Sequence, residues 1–169
     1  DRGLTVRDLV SRGRHPHQSW LRQASAEDAR AVDAVMELTN IAEFAERPLE
    51  RLSGGQRQRA WIAMVLAQDT PLVFLDEPTT YLDLSHSVEV LSLVRRLADQ
   101  EGRTVLMVLH DLNLAARYSD QLIVMQRGEV RAVGAPAEVV TESLLSRVFD
   151  LPAVVASDPV SGGPLVVPW

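Results

Sequence analysis

The sequence predicts an α/β fold, with a helical part of about 70 residues followed by strands and helices in alternation. Three observations carry this. Apolar residues before residue 70 recur at helical spacing behind capping signals. Two continuous apolar runs, 71–75 and 104–109, have the length of buried strands. A helical stretch over 85–100 separates those two runs.

Each element has its own warrant. Thr5 followed by Asp8 resembles a capping box and opens a short helix over 5–13, with Val6, Leu9 and Val10 on one face. Residues 14–24 contain Pro16 and polar residues and read as a loop. Ser25, with Asp28 three residues on, starts a second helix that runs to about Thr39. Ala31, Val32, Val35 and Leu38 share a side of it, and Pro48 stops any continuation. A third helix spans 53–68, and its segment Ala60–Ala67 is apolar all round, which predicts burial.

After the strand at 71–75 and the helix at 85–100, Gly102 is a typical helix stop. Residues 112–118 read as a helix, and 121–126 and 129–133 as strands joined by an Arg127-Gly128 turn. Short helices follow at 137–141 and 143–149. Pro152, Pro159, Pro164 and Pro168 break the tail into extended pieces. The expected organisation is a helical subdomain at 1–69, a partial strand-and-helix core at 70–150 and a tail at 151–169. Strand–helix–strand–helix–strand over 71–126 implies parallel strands with right-handed crossovers. Ligand chemistry then belongs at the carboxyl ends of those strands.

Composition narrows the function. The 169 residues include 17 basic side chains, all arginine, and 23 acidic ones, for a net charge of -6. No lysine means no Schiff-base lysine, no lysine general base and no phosphate-loop lysine within this sequence. No cysteine excludes disulfides, a thiolate nucleophile and a Cys-ligated zinc. The acidic balance argues against nucleic acid as a partner. No apolar run approaches the roughly 18 residues that span a bilayer, so a soluble or peripheral chain is expected. Residue 1 is Asp and no leader follows it, which leaves processing, trimming or excision from something longer open. Five arginines in residues 1–22 (Arg2, Arg7, Arg12, Arg14, Arg22) against Asp1 and Asp8 make a basic end. A solvated helix face accounts for that end more simply than a docking patch.

Three places carry chemistry. Leu75-Asp76-Glu77-Pro78 puts two carboxylates at the carboxyl end of an apolar strand. Adjacent strand residues point to opposite sides, so one can hold Mg²⁺ while the other orients and deprotonates a water. An acid-rich turn is the plainer alternative. Leu109-His110-Asp111 ends the second strand, and a parallel pair would bring His110 to the same edge. By itself His110 reads better as a packed core histidine, and His15, His17 and His86 have no context that suggests a role. Leu52-Ser53-Gly54-Gly55-Gln56 opens a helix with an S-x-x-Q capping box. Its two glycines let an anion approach the N–H groups and the positive dipole end. Glycine costs roughly 1 kcal/mol inside a helix, so two in a first turn suggest a use.

Together these residues resemble the ATP-binding domain of ABC transporters. Leu52–Gln56 is similar to the LSGGQ signature. Val73–Thr79 resembles the Walker B strand, Tyr81-Leu82-Asp83 the D-loop and His110 the switch histidine. Four motifs occur in the family's order over about 60 residues, which is highly specific. The flanking segments Arg57–Met64, Pro78–His86, Val6–Val10 and Gly13–Pro16 look like the importer ATPases for ferric siderophores, with haem and cobalamin importers as relatives.

The resemblance implies the following. The chain is the second half of a P-loop NTPase ABC domain: a helical subdomain, then a partial, mainly parallel sheet with flanking helices. Two such subunits sandwich ATP head to tail, and Ser53, Gly54 and Gly55 touch the γ-phosphate in trans with Gln56 nearby. Asp76 binds Mg²⁺, Glu77 is the general base, His110 positions phosphate and water, and Asp83 joins the two sites. The partners implied are transmembrane permease subunits, the second ATP-binding subunit and, indirectly, a substrate-binding protein. The place implied is the cytoplasmic face of the membrane.

One departure is large. The family's G-x-x-x-x-G-K-[ST] loop has no counterpart here, nor do the adenine-stacking aromatic and the glutamine loop. The expectation is the C-terminal part of an ABC ATPase, with the 169 residues alone a non-catalytic accessory module. An ABC-type ATPase of DNA repair or translation fits less well, lacking coiled coils, duplication and a basic surface. A Mg²⁺-dependent nuclease would leave the signature helix unexplained. A partial parallel sheet with an open edge and apolar face is also expected to aggregate.

Overall fold

The computed structural model describes residues 3–18 and 25–169. Asp1, Arg2 and Arg22 of the basic end, and the part of the expected loop at residues 19–24, lie outside the described residues. The chain divides into two units, residues 1–108 and 109–169. The expected boundaries at 69/70 and 150/151 fall inside these units.

In the first unit, helices α1 (Val6–Arg12), α2 (Ala26–Leu38) and α3 (Gly54–Ala67) precede a parallel pair. That pair is β1 (Leu72–Asp76) and β2 (Thr104–Val108), joined by α4 (Leu84–Glu101). Local chemistry sets the helix starts. Thr5, Ser25 and Ser53 each accept from the N–H three residues on, and Asp8, Asp28 and Gln56 each bond back to the capping residue's N–H. Asp83 caps α4, and Gly102 ends it in the left-handed conformation, φ 63°.

Two apolar clusters fill this unit. Val6, Leu9, Val10, Val32, Met36, Ala60 and Ala63 close the seam among α1, α2 and α3. Ile62 and Leu66, on the other side of α3, pack with Val73, Leu75, Val90, Val94 and Leu97. Helix α3 therefore joins the helical part to the strands, because it buries residues on two sides. Its burial is incomplete, since Trp61 is 45% exposed. A methyl group on Gly13 would overlap the carbonyl oxygen of Met64 and the Cβ of Ala67, so α1 and α3 touch closely there.

The basic end is not simply a solvated face. Arg14 is buried and donates from Nε to Asp28 Oδ1 (2.9 Å) and from Nη1 to the Ala67 carbonyl (3.0 Å). Arg7 reaches Asp33 and Glu46 at the surface.

The parallel pairing is present, with Leu72 opposite Thr104 and Asp76 opposite Val108. Burial on both faces is not. Val73 and Leu75 face α3 and α4, whereas Leu72, Phe74, Leu106 and Val108 are exposed on the other side. The reason is topological: the crossover helix covers one face of a two-stranded sheet.

The second unit contains α5 (Leu112–Tyr118), β3 (Leu122–Gln126), β4 (Glu129–Gly134), α6 (Pro136–Val139), α7 (Glu142–Phe149), β5 (Ala153–Ser157) and β6 (Pro164–Pro168). Strand β3, expected as a third parallel strand and also as one arm of a hairpin, belongs to a two-stranded antiparallel sheet. It pairs antiparallel with β4 through a turn in which Arg127 (φ 53°) and Gly128 (φ 80°) are both left-handed. That turn matches the twist of adjacent strands and settles the pairing locally. The tail is likewise paired, as the antiparallel β5–β6 hairpin. Asn113 anchors β6 by bonding both the N–H and the carbonyl of Val166.

Candidate functional site

The tip of α3 is built from its cap. The N–H of Gln56 goes to Ser53 Oγ (3.3 Å) and the N–H of Ser53 to Gln56 Oε1 (3.0 Å). Of the first-turn donors, the capping box therefore uses those of Ser53 and Gln56 and leaves those of Gly54 and Gly55 without a partner in the helix. Two adjacent amides at the positive end of a 14-residue helix suit an oxyanion such as phosphate.

The two glycines differ. Gly54 is exposed, and a methyl group there would meet only Leu82 Cδ2, at an ordinary 3.7 Å. Gly55 is buried, and a methyl group there would overlap the His86 ring. The space beside Gly54 is open, whereas the close approach of a side chain accounts for Gly55.

That ring is fixed by Asp83. Asp83 Oδ1 accepts from the His86 N–H at 2.9 Å and lies 2.7 Å from His86 Nδ1. The backbone N–H and then the ring hold the Asp83 carboxyl below its ordinary pKa. Because a carboxylate accepts, Nδ1 carries a proton in this arrangement. One turn along, Arg59 on α3 donates to Glu89 on α4 at 2.5 Å. The predicted residues Ser53, Gly54, Gly55, Gln56 and Asp83 are thus brought together along one helix–helix seam. Sequence reading assigns His86 no role; the spacing Asp83-x-x-His86 just before an apolar helix is the signal that could have found it.

Asp76 and Glu77 stand at the end of β1, and they are not equivalent strand residues. Asp76 is the last paired residue, exposed, opposite Val108. Glu77 has φ 47°, so the alternation of strand faces used to separate the two carboxylates ends before it. They diverge because the chain turns. Glu77 Oε2 accepts from Thr80 Oγ1 at 2.7 Å, and the Thr80 N–H returns to the Glu77 carbonyl at 3.2 Å. Thr80 is not among the predicted site residues; a hydroxyl three residues after the acid is its signal. Tyr81 follows with φ 65° and a fully exposed side chain.

His110 belongs to the second unit, exposed, one residue before Asp111. Asp111 caps α5 by accepting from the Leu114 N–H at 2.8 Å, so it has a structural task.

The donor sets fit the groups expected of them. Open amides suit phosphate oxygens, and an exposed strand-end carboxylate is a hard ligand of the kind Mg²⁺ takes one or two of, with phosphates completing its shell. Among the described residues no three His, Cys, Asp or Glu side chains cluster as a metal cage. No helix among them is long and apolar enough to cross a membrane.

A capped glycine tip, a carboxylate-bearing strand end and the loop that follows it are the features in which the chain resembles ABC-type nucleotide-binding domains. The model of the ABC transporter family matches residues 1–80 of the chain. It is 52% identical over 166 residues to the petrobactin import ATP-binding protein FpuD of Bacillus anthracis, covering 98% of this chain and 61% of that protein. It is 50% identical over 165 residues to the ferric enterobactin transport ATP-binding protein FepC of Escherichia coli, with coverage of 98% and 61%. Among solved structures, an inward-facing conformation of a metal-chelate type ABC transporter matches with TM-score 0.89 at 29% identity, over 98% of this chain and 66% of that one. The chain spans about three fifths of the length of the curated relatives it matches.

Proposed function

We propose that this chain is the signature-bearing part of the ATP-hydrolysing subunit of an importer for ferric siderophores or related metal chelates. One observation carries the reading: the capped tip of α3 leaves the amides of Gly54 and Gly55 without an intrahelical partner within a Leu-Ser-Gly-Gly-Gln sequence. The order of the other three motifs and the likeness to siderophore-import subunits support it. In this reading Ser53, Gly54 and Gly55, with Gln56 beside them, contact the γ-phosphate of ATP bound to a second subunit. Asp76 is the ligand for Mg²⁺, which when bound screens phosphate charge. Glu77 takes the proton of the attacking water, His110 orients phosphate and water, and Asp83 reaches across the head-to-tail dimer. Closure of that dimer drives permease subunits at the cytoplasmic face of the membrane, fed by a substrate-binding protein.

The test is chelate uptake and ATP hydrolysis by the assembled transporter in vesicles. Glu77→Gln is expected to lower turnover by about 10²–10⁴-fold, the usual contribution of a general base. Hydrolysis at the wild-type rate would sink the catalytic assignment. Chelate uptake independent of ATP would sink the importer assignment.

A second reading concerns these 169 residues by themselves. The sequence holds no lysine, so it brings no phosphate-loop lysine to a nucleotide. Alone it would act as a non-catalytic accessory module that offers a signature helix. Magnesium-dependent ATP turnover by the purified 169 residues would refute this.

A further inference from the structure

The unpaired first-turn amides of α3 are useful only if they point steadily at their target, and their aim depends on what holds the helix tip. The tip has no side chain at Gly54 or Gly55 to anchor it. What lies against it is the His86 ring, at the place where a Cβ of Gly55 would stand. The ring in turn is held by Asp83 through Nδ1 at 2.7 Å, and Asp83 also accepts the His86 N–H at 2.9 Å. Rotating the ring would break its bond to Asp83 or drive it into the Gly55 backbone. The Arg59–Glu89 pair, one turn further along the same seam, also bridges α3 and α4.

We propose that His86 is a positioning residue, which by bonding Asp83 and seating against Gly55 sets the direction of the amides of Gly54 and Gly55. This rests on the reading of the α3 tip as a phosphate contact. It assigns the two glycines different tasks: Gly54 leaves room for the anion, and Gly55 leaves room for His86. It also joins the Asp83 loop to the α3 tip, so displacement of one displaces the other.

The experiment uses the assembled transporter that contains this chain, in vesicles. Steady-state ATP hydrolysis and thermal unfolding are measured for His86→Ala, His86→Asn, Gly55→Ala and the double variant Gly55→Ala/His86→Ala. His86→Ala is expected to raise KM for MgATP about tenfold, with a smaller change in kcat and an unchanged Tm, because the tip is misaimed rather than unfolded. His86→Asn carries an amide N–H close to the place of Nδ1–H and should recover most of that loss. The double variant should exceed Gly55→Ala in kcat/KM, since the ring that the new methyl would strike is gone.

An unchanged KM in His86→Ala would overturn the proposal. Equal losses in the Ala and Asn variants together with a fall in Tm would also overturn it, leaving a structural role only. Strict additivity of the Gly55 and His86 substitutions would do the same. Glu77→Gln separates the two levels. If it still hydrolyses ATP normally, the underlying reading falls; if it is inactive while the His86 variants behave as wild type, only the positioning role falls.

Discussion

Arg14 Nε donates to Asp28 Oδ1 over 2.9 Å, and both side chains are about nine-tenths buried. The second arm of Arg14, to the Ala67 carbonyl, makes this pair a clasp on the end of α1, the start of α2 and the end of α3. Breaking such a pair from one side leaves an unmatched buried charge.

The Asp28 carboxyl is held at about 2, against an ordinary 3.8, first by the Ser25 backbone N–H, then by Arg14 and the Ser25 hydroxyl. A depressed carboxyl contributes in full above its unfolded pKa, and that contribution is lost as pH falls through the folded value. The urea midpoint of the chain should therefore drop as pH falls from about 3.8 to about 2. Asp28→Asn should start lower and vary less with pH over that window. Asp8, Asp83 and Asp158, also lowered, leave a residual slope. An identical pH dependence in wild type and variant would show that the clasp does not govern acid stability.

Gly13 lies against the backbone of Met64 and the Cβ of Ala67. A backbone carbonyl cannot step aside as a flexible side chain can. Gly13→Ala is expected to destabilise by about 1–3 kcal/mol, the usual range for overpacking. The measurement is a lowered urea midpoint at unchanged slope. A neutral or stabilising result would mean that α1 and α3 are further apart than described.

Glu77 sits in a left-handed conformation that costs a non-glycine residue about 1–2 kcal/mol, and Thr80 holds its carboxylate at 2.7 Å. If Glu77 is the base, Thr80→Val in the assembled transporter should lower kcat roughly tenfold by loosening its aim, while Thr80→Ser retains activity. Equal activity in both variants would remove Thr80 from the site.

Phe74 and Leu106 are direct cross-strand partners on the exposed face of the β1–β2 pair, Phe74 being 63% exposed. With Leu72 and Val108 they make an apolar surface of the kind that drives association. The 169-residue chain alone should self-associate in light scattering, and Phe74→Arg/Leu106→Glu should reduce this by replacing the pair with opposite charges. A wild-type chain that stays monomeric at every concentration tested would refute the prediction.

Much of the fold and of the candidate site is legible in the order of residues. Thr5–Asp8, Ser25–Asp28 and Ser53–Gln56 are complete capping boxes in the folded chain, as their spacing indicates. The β1–β2 pairing follows from two apolar runs and the helix between them. Arg127-Gly128 marks its turn because two adjacent left-handed residues are what a tight hairpin requires. These features are decided within a few residues, by caps, periodicity and turn chemistry, and a sequence carries that information directly.

Other features depend on residues far apart in the chain. An apolar strand states that it can be buried, not that both faces will be, and β1 is covered on one side only. Arg14 reads as one more surface cation until its carboxylate partner, 14 positions away, is folded against it. The sequence by itself determined the helices, the strand pair and the order of the four motifs. Only the tertiary structure decided that Gly54 is open while Gly55 is filled by His86, because that distinction lies in the packing of α4 on α3, a contact between residues some 30 positions apart.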